Sequence, residues 1–288
     1  MIQCSIKKIA KRLVIVSMAA AIAAVMIGCI FGGGSGGNND YDDNVQNPAI
    51  DWTENNITIR TAAELKEFSK RVNSTNNQER RSGFQGVVVT LANDIELNGS
   101  QSNQWTPIGN DLSYNEFRGV FDGNGKVIRG IYINNNKSGV YGQGLFGLIS
   151  GATIKNLGVD VDIEGTNWVG GLAGSMTANS KIENCYATGS VSGNVRVGGL
   201  VGSNANSNID NCYSAASANG NTAGGLLGYN DCNNSTSGRI TNCYAMGNVS
   251  GSNVGGLVGT MDNSGGITNC YATGSVSGNN SGALVGRK

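Results

Sequence analysis

The sequence predicts an all-β fold, a parallel β-helix or β-solenoid with rungs of about 26–31 residues and a short N-terminal capping helix. Three observations lead there. A Gly-rich pentapeptide returns at a near-constant interval, and an Asn-Cys-Tyr motif keeps step with it. The 45 glycines also sit in a chain that is 39% hydrophobic and only 14% charged. Disordered Gly-rich chains are poorer in apolar residues or richer in charge, so the glycines here must serve repeated tight turns.

The first pattern reads GQGLFG (142–147), GGLAG (170–174), GGLVG (198–202), GGLLG (224–228), GGLVG (255–259) and GALVG (282–286). Its leucines, Leu145, Leu172, Leu200, Leu226, Leu257 and Leu284, are 27, 28, 26, 31 and 27 residues apart. The second pattern reads KIENCYATGSVSG (181–193), NIDNCYSAASANG (208–220), RITNCYAMGNVSG (239–251) and GITNCYATGSVSG (266–278). TIKNLGVDVDIEG (153–165) fills the same slot one unit earlier. The longest interval holds Asp231 to Ser237, read as a polar loop bulging from its rung, in which Cys232 has no partner at its level and is a candidate reactive thiol.

Strands, not helices, fit these units. Cys185 to Val191 alternates small or apolar with polar residues, and strong helix formers are scarce. Two or three strands per rung are expected, with Ile182, Cys185, Ala187, Val191, Val197 and Leu200 pointing inward. So small a set cannot form a core alone, and each rung must lean on its neighbours.

These units resemble the GLUG motif (Gly-Leu-any-Gly) of bacterial surface proteins, adhesins and the N-terminal regions of some immunoglobulin A peptidases. The resemblance covers 142–288. The segment 56–140, with DIEL (94–97), WTPIG (105–109) and FRGVFDGNGKVIRGIYI (117–133), looks like the region that commonly precedes such repeats. The resemblance implies a parallel β-helix but no single function. The peptidases use a zinc site containing His; this chain has none, so that activity does not carry over.

The N-terminus has the layout of an export signal. Lys7, Lys8, Lys11 and Arg12 precede an apolar run from Leu13 to Ile27, interrupted only by Ser17. Met26-Ile27-Gly28-Cys29 resembles the lipobox of bacterial lipoproteins, which implies lipidation of Cys29. An uncleaved membrane anchor and an ordinary signal cleaved nearby are the alternatives. The resulting division is a signal peptide (1–28), a lipidated Cys and flexible Gly/Asn linker (29–55), a strand-helix cap (56–85), first rungs (86–141) and the repeat solenoid (142–288). An exported cell-envelope protein, at the outer membrane or cell surface, follows from this reading. Without 1–28 the chain has 16 basic against 20 acidic residues, which argues against a nucleic-acid partner.

Within the cap, Ile57 to Arg60 reads as a strand. Thr61 and Glu64 form a capping-box pattern ahead of Leu65, Phe68 and Val72 at helical spacing. That helix either covers the end of the solenoid or docks a partner. Val127 to Ile133 aligns with Thr153 to Val159 at a spacing of 26, and Asp122 to Gly125 reads as a turn between strands. At the far end, Ala283 to Lys288 shows no capping element, so self-association or another contact is expected at that edge.

Cys185, Cys212, Cys243 and Cys270 share one repeat position and should stack. They are core thiols, two disulfides or, least suited geometrically, metal ligands, because parallel stacking aims them one way and not around a tetrahedron. Asn156, Asn184, Asn211, Asn242 and Asn269 should form a corner ladder. Tyr186, Tyr213, Tyr244 and Tyr271 should form an outward stripe, either a binding face for a sugar or surface protein or a mere covering of the strands. Asp160, Asp162 and Glu164 share one strand face and are the candidates if the chain is a polysaccharide lyase or glycosidase. Without His no Ser-His or Cys-His site can exist, and no cofactor or metal is expected. The favoured reading is a non-catalytic, lipid-anchored adhesion, binding or structural module; the alternative is a carbohydrate-active β-helix enzyme.

Overall fold

One rung shows how the repeat folds. Lys181–Glu183, Tyr186–Ser192, Val195–Gly198 and Val201–Ala205 are four short strands, after which Asn208–Asp210 begins the next level. Two or three strands were expected; the Gly-Leu-x-Gly segment adds the fourth by folding the chain sharply back. Each strand pairs in parallel with its counterparts one rung away. The computed structural model describes residues 49–110, 115–232, 237–263 and 265–288. The signal segment, Cys29, the linker up to Pro48 and loop residues 233–236 lie outside them.

The strands build about eight turns with rungs near 28 residues. One inward ladder runs through all of them: Ile57, Val89, Phe121, Ile154, Ile182, Ile209, Ile240 and Ile267. All but Ile267 are at most 2% exposed. A second ladder follows the leucines. The Leu172 N–H donates to the Leu200 carbonyl, Leu200 to Leu226, Leu226 to Leu257 and Leu257 to Leu284, at 2.9–3.0 Å. Leu172, Leu200, Leu226 and Leu257 are fully buried, while Leu284, in the last rung, is partly exposed.

The glycines of the motif are explained by close backbone approach. A Cβ on Gly198 would lie 1.9 Å from the Val201 carbonyl oxygen, and one on Gly202 would lie 2.6 Å from the Trp168 carbonyl carbon. Only glycine lets the chain turn this tightly while the intervening leucine enters the core. At the opposite corner Asn156, Asn184, Asn211, Asn242 and Asn269 all adopt left-handed backbone, φ 52–55°. Asparagine tolerates that region better than other residues with a Cβ, which accounts for its place in every NCY motif.

The N-terminal cap contains α1 (Ala62–Val72), held by the full capping box of Thr61 and Glu64. Its Leu65, Phe68 and Val72 are fully buried. Phe68 packs against Phe84, Phe117 and Phe121 at ring separations of 5.1, 5.8 and 6.1 Å. A second helix, α2 (Asn77–Phe84), capped by Asn76 and broken at Arg81–Gly83 by positive φ, follows. The strand Asn56–Ile59 pairs with Val88–Leu91 and thereby joins the ladder.

Two expectations about the first rungs are corrected. Thr153 pairs with Val120, and Val127 pairs with Gly158. Inward Phe121 must meet Ile154, and the excess residues are taken up as irregularities after Asp122 and after Ile128. Asp122 to Gly125 is one of these, a bulge inside the long strand Val120–Asn134 and not a turn between strands.

Candidate functional site

Tyr186, Tyr213, Tyr244 and Tyr271 stand in register on successive rungs. Their ring centroids are 4.9, 4.9 and 5.1 Å apart, and the planes are within 4° of parallel. Rings lying side by side in one plane cannot come this close, so they overlap face over face. Above them Tyr186 lies against the backbone of Gly158, where a Cβ would sit 2.3 Å from its Cζ. The stripe therefore presents ring edges and hydroxyls; Tyr271, 40% exposed, ends it. Burial pushes up the pKa of Tyr186, Tyr213 and Tyr244, and at Tyr213 the flanking phenols add to it. These hydroxyls stay protonated at neutral pH.

Asp160, Asp162 and Glu164 are exposed on one strand. Asp160 accepts from the Thr188 hydroxyl at 2.7 Å and Asp162 from the Ser190 hydroxyl at 2.8 Å. Glu164 accepts from the side-chain amides of Asn134 and Asn136 at 3.2 and 2.8 Å. A shallow groove of about 350 Å³ runs beside Asp160 and Asp162, lined also by Gly130, Tyr132, Gly189 and Ser190. Both carboxylates project from the same strand, and none of those other lining residues is acidic. Glycosidase chemistry uses two carboxyl groups flanking the bond to be cut; here the two beside the groove stand two residues apart on one strand, each tied to a hydroxyl of the next rung.

Cys185, Cys212, Cys243 and Cys270 are stacked free thiols, the first three buried. The Cys185 and Cys243 amides donate to the sulfur one rung on, at 3.4 and 3.3 Å. Each thiol donates to the carbonyl two residues before it, at 3.1–3.2 Å. Burial pushes the Cys212 thiol well up, and the adjacent thiol pushes up Cys243 and Cys270. Along the neighbouring corner Asn184 donates to Asn156, and Asn269 to Asn242. The two steps between are taken over by Asp210, which accepts from both Asn211 and Asn242 at 3.3 Å.

Cys232 overturns its expected role. It ends the strand Leu227–Cys232, is fully buried, and burial raises its thiol pKa. Its sulfur lies where side chains on Gly238 and Gly265 would be, so the segment after the loop folds over it.

One surface cluster has no counterpart in the sequence reading. Tyr141 packs on Trp168 at 4.8 Å, and the Arg196 guanidinium lies over Trp168 at 5.7 Å and Tyr229 at 4.0 Å. The Tyr229 hydroxyl donates to Asp262 at 2.5 Å, a bond that lifts its pKa to about 12. A finer comparison of units exposes the signal: Val191 and Val197 are six positions apart, their register partners Ala218 and Ala223 only five.

Three segments, 165–192, 193–219 and 250–277, match one repeat family. It is the GLUG motif. Each GLUG match is one rung long, and the unmatched stretch between them, 220–249, contains Cys232 and most of the 31-residue interval. Halomucin of Haloquadratum walsbyi is 43% identical over 90 residues, 31% of this chain. The chain spans about 1% of the length of that relative. A solved structure from Bacteroides ovatus, to which an immunoglobulin A1 protease activity has been attributed, is similar with a TM-score of 0.53. The likeness covers 81% of this chain and 84% of that one at 20% identity, and at that identity it shows the fold alone.

Proposed function

We propose that this GLUG-repeat solenoid is a non-catalytic adhesion, binding or structural module of the cell envelope, exported and tethered to a membrane through a lipid on Cys29. The observation that carries this reading is the distribution of side chains. Every cysteine of the array is packed among backbone carbonyls, three of the four fully buried, whereas the outer face repeats Asn, Ser, Thr and tyrosine edges from rung to rung. Such a face offers many similar hydrogen-bonding groups at the rung spacing, which suits contact with an extended ligand such as a glycan or a surface protein.

The groove beside Asp160 and Asp162 favours a second reading, a polysaccharide-cleaving enzyme. One set of experiments separates the two. Cells expressing the full chain, fed an alkyne-tagged fatty acid, should label it, and Cys29→Ser should abolish labelling. Purified protein should be retained on glycans or host surface proteins without releasing reducing ends. Persistent labelling of Cys29→Ser removes the anchor, and release of reducing ends that Asp160→Asn or Asp162→Asn abolishes replaces the first reading with the second.

A further inference from the structure

Trp168 and Arg196 stand opposite one another in two corners of equal length. Ile163 and Val169 are six positions apart and pair with Val191 and Val197; the next two rungs cover the same corner in five, from Ala218 to Ala223 and from Val249 to Val254. Arg196 is thus a β-bulge against the rung after it, while Trp168 lies in register between Gly142 and Arg196; both have left-handed backbone, φ 55° at Trp168 and 60° at Arg196. The rung before them places Gly142 there, with φ 76°. Bulky residues with a Cβ are disfavoured in that region, and strain of this kind persists where the surroundings impose it, often at functional sites. The solenoid does not demand it. In the five-step corners no residue other than glycine has positive φ.

The left-handed backbone at both positions brings the two side chains into one surface cluster. Tyr141, 36% exposed, and Trp168 supply apolar ring surface. Arg196 donates to the Ser203 hydroxyl at 3.3 Å and makes no ion pair among the described residues. A guanidinium carries five N–H donors in a rigid fork that matches a carboxylate, and Ser203 takes up only one end of it. Tyr141 to Arg196 is two rung steps, about 10 Å at the usual strand spacing and close to the length of a disaccharide.

We propose that Tyr141, Trp168 and Arg196 form a binding site for an acidic saccharide, the sugar's apolar face on the rings and its carboxylate on Arg196. The proposal rests on the binding-module reading above and specifies its ligand class. A saccharide fits better than an acidic peptide, because a sugar acid presents an apolar face and a carboxylate on a rigid frame, and two linked units span the distance from Tyr141 to Arg196.

The test is calorimetric titration of the full-length protein with trigalacturonic acid and 3′-sialyllactose, against maltotriose and lactose as neutral partners. At least one acidic sugar should bind, its neutral partner should bind tenfold or more weakly, and Arg196→Gln should weaken the acidic sugar at least tenfold. Trp168→Gly places glycine in the left-handed backbone, so it should weaken binding while leaving Tm equal or higher; a merely structural Trp168 would lower Tm instead. Acidic-sugar binding unchanged in Arg196→Gln overturns this site and leaves the module reading intact. Binding of polyglutamate that Arg196→Gln abolishes, without sugar binding, overturns the saccharide in favour of a protein ligand. No binding of any of these probes overturns the proposal outright, and retention on the broader glycan and protein surfaces then decides the module reading separately.

Discussion

The ring of Tyr186 rests on Gly158, the residue that occupies the tyrosine position one rung earlier. The aromatic column thus begins on bare backbone and continues ring on ring to Tyr271. A side chain at Gly158 has nowhere to go unless Tyr186 moves. Gly158→Ala should destabilise by about 1–3 kcal/mol, the usual cost of forcing atoms into a packed site. Urea unfolding measures this; a neutral effect means that Tyr186 is not seated as described.

Within the column, position should decide the cost of losing a ring. Tyr213 stacks on both sides and Tyr271 on one. With aromatic pairs worth about 0.5–1.5 kcal/mol each, Tyr213→Ala should cost about twice the stacking energy of Tyr271→Ala. Equal losses, compared by urea unfolding, contradict a face-to-face stack.

The leucine ladder gives a parallel comparison. Leu200→Ala, in a fully buried position, should cost about 2–5 kcal/mol, and Leu284→Ala, partly exposed in the last rung, distinctly less. The same unfolding measurement on both variants checks the order.

Alkaline pH should weaken the fold. The thiols of Cys212, Cys243 and Cys270 and the phenols of Tyr186, Tyr213 and Tyr244 have folded pKa values above their ordinary ones. The folded state therefore holds these protons more tightly than the unfolded chain. Their stabilising effect is complete below the unfolded values, about 8.5 for Cys and 10 for Tyr, and declines as pH rises beyond them. Tm should be flat near neutrality and fall progressively above pH about 9, with a shallower fall in Cys212→Ala. A Tm that rises between pH 9 and 11 contradicts the burial of these groups.

The same burial predicts inert cysteines. In native protein a maleimide should not label Cys185, Cys212, Cys232 or Cys243, and all should react after denaturation without prior reduction, since they are free thiols. Mass mapping of the labelled peptides reads both statements; labelling that requires a reductant points to disulfides.

What the sequence made legible was whatever repeats. Ile182, Cys185, Ala187, Val191, Val197 and Leu200 recur with the period, and all six are at most 1% exposed. The Thr61–Glu64 box located α1 because its signal is local. The remainder depends on non-periodic or three-dimensional facts. The α2 segment, NQERRSGF, has no apolar stripe, and its helix is fixed by the Asn76 cap and the Phe84 anchor. The register of Val127 was misplaced because two bulges lie between the residues that pair. Cys232 reads as a loop thiol because polar neighbours surround it in sequence, while it ends a strand and its sulfur turns inward over Gly238. The tyrosine stripe was visible, but whether ring faces or edges meet solvent depends on χ angles, which periodicity does not encode. Trp168 and Arg196 escaped notice because a one-residue difference in corner length barely alters a period that already varies from 26 to 31.

The central claim is that each unit of about 27 residues is one turn of a parallel ladder, hydrogen-bonded to the turns beside it. Through-hydrogen-bond NMR couplings in labelled, deuterated protein test it at single bonds. They should connect the Leu172 amide to the Leu200 carbonyl, Leu200 to Leu226 and Leu226 to Leu257. Couplings that instead join these amides to carbonyls of their own unit, as in a hairpin or helix, would contradict it.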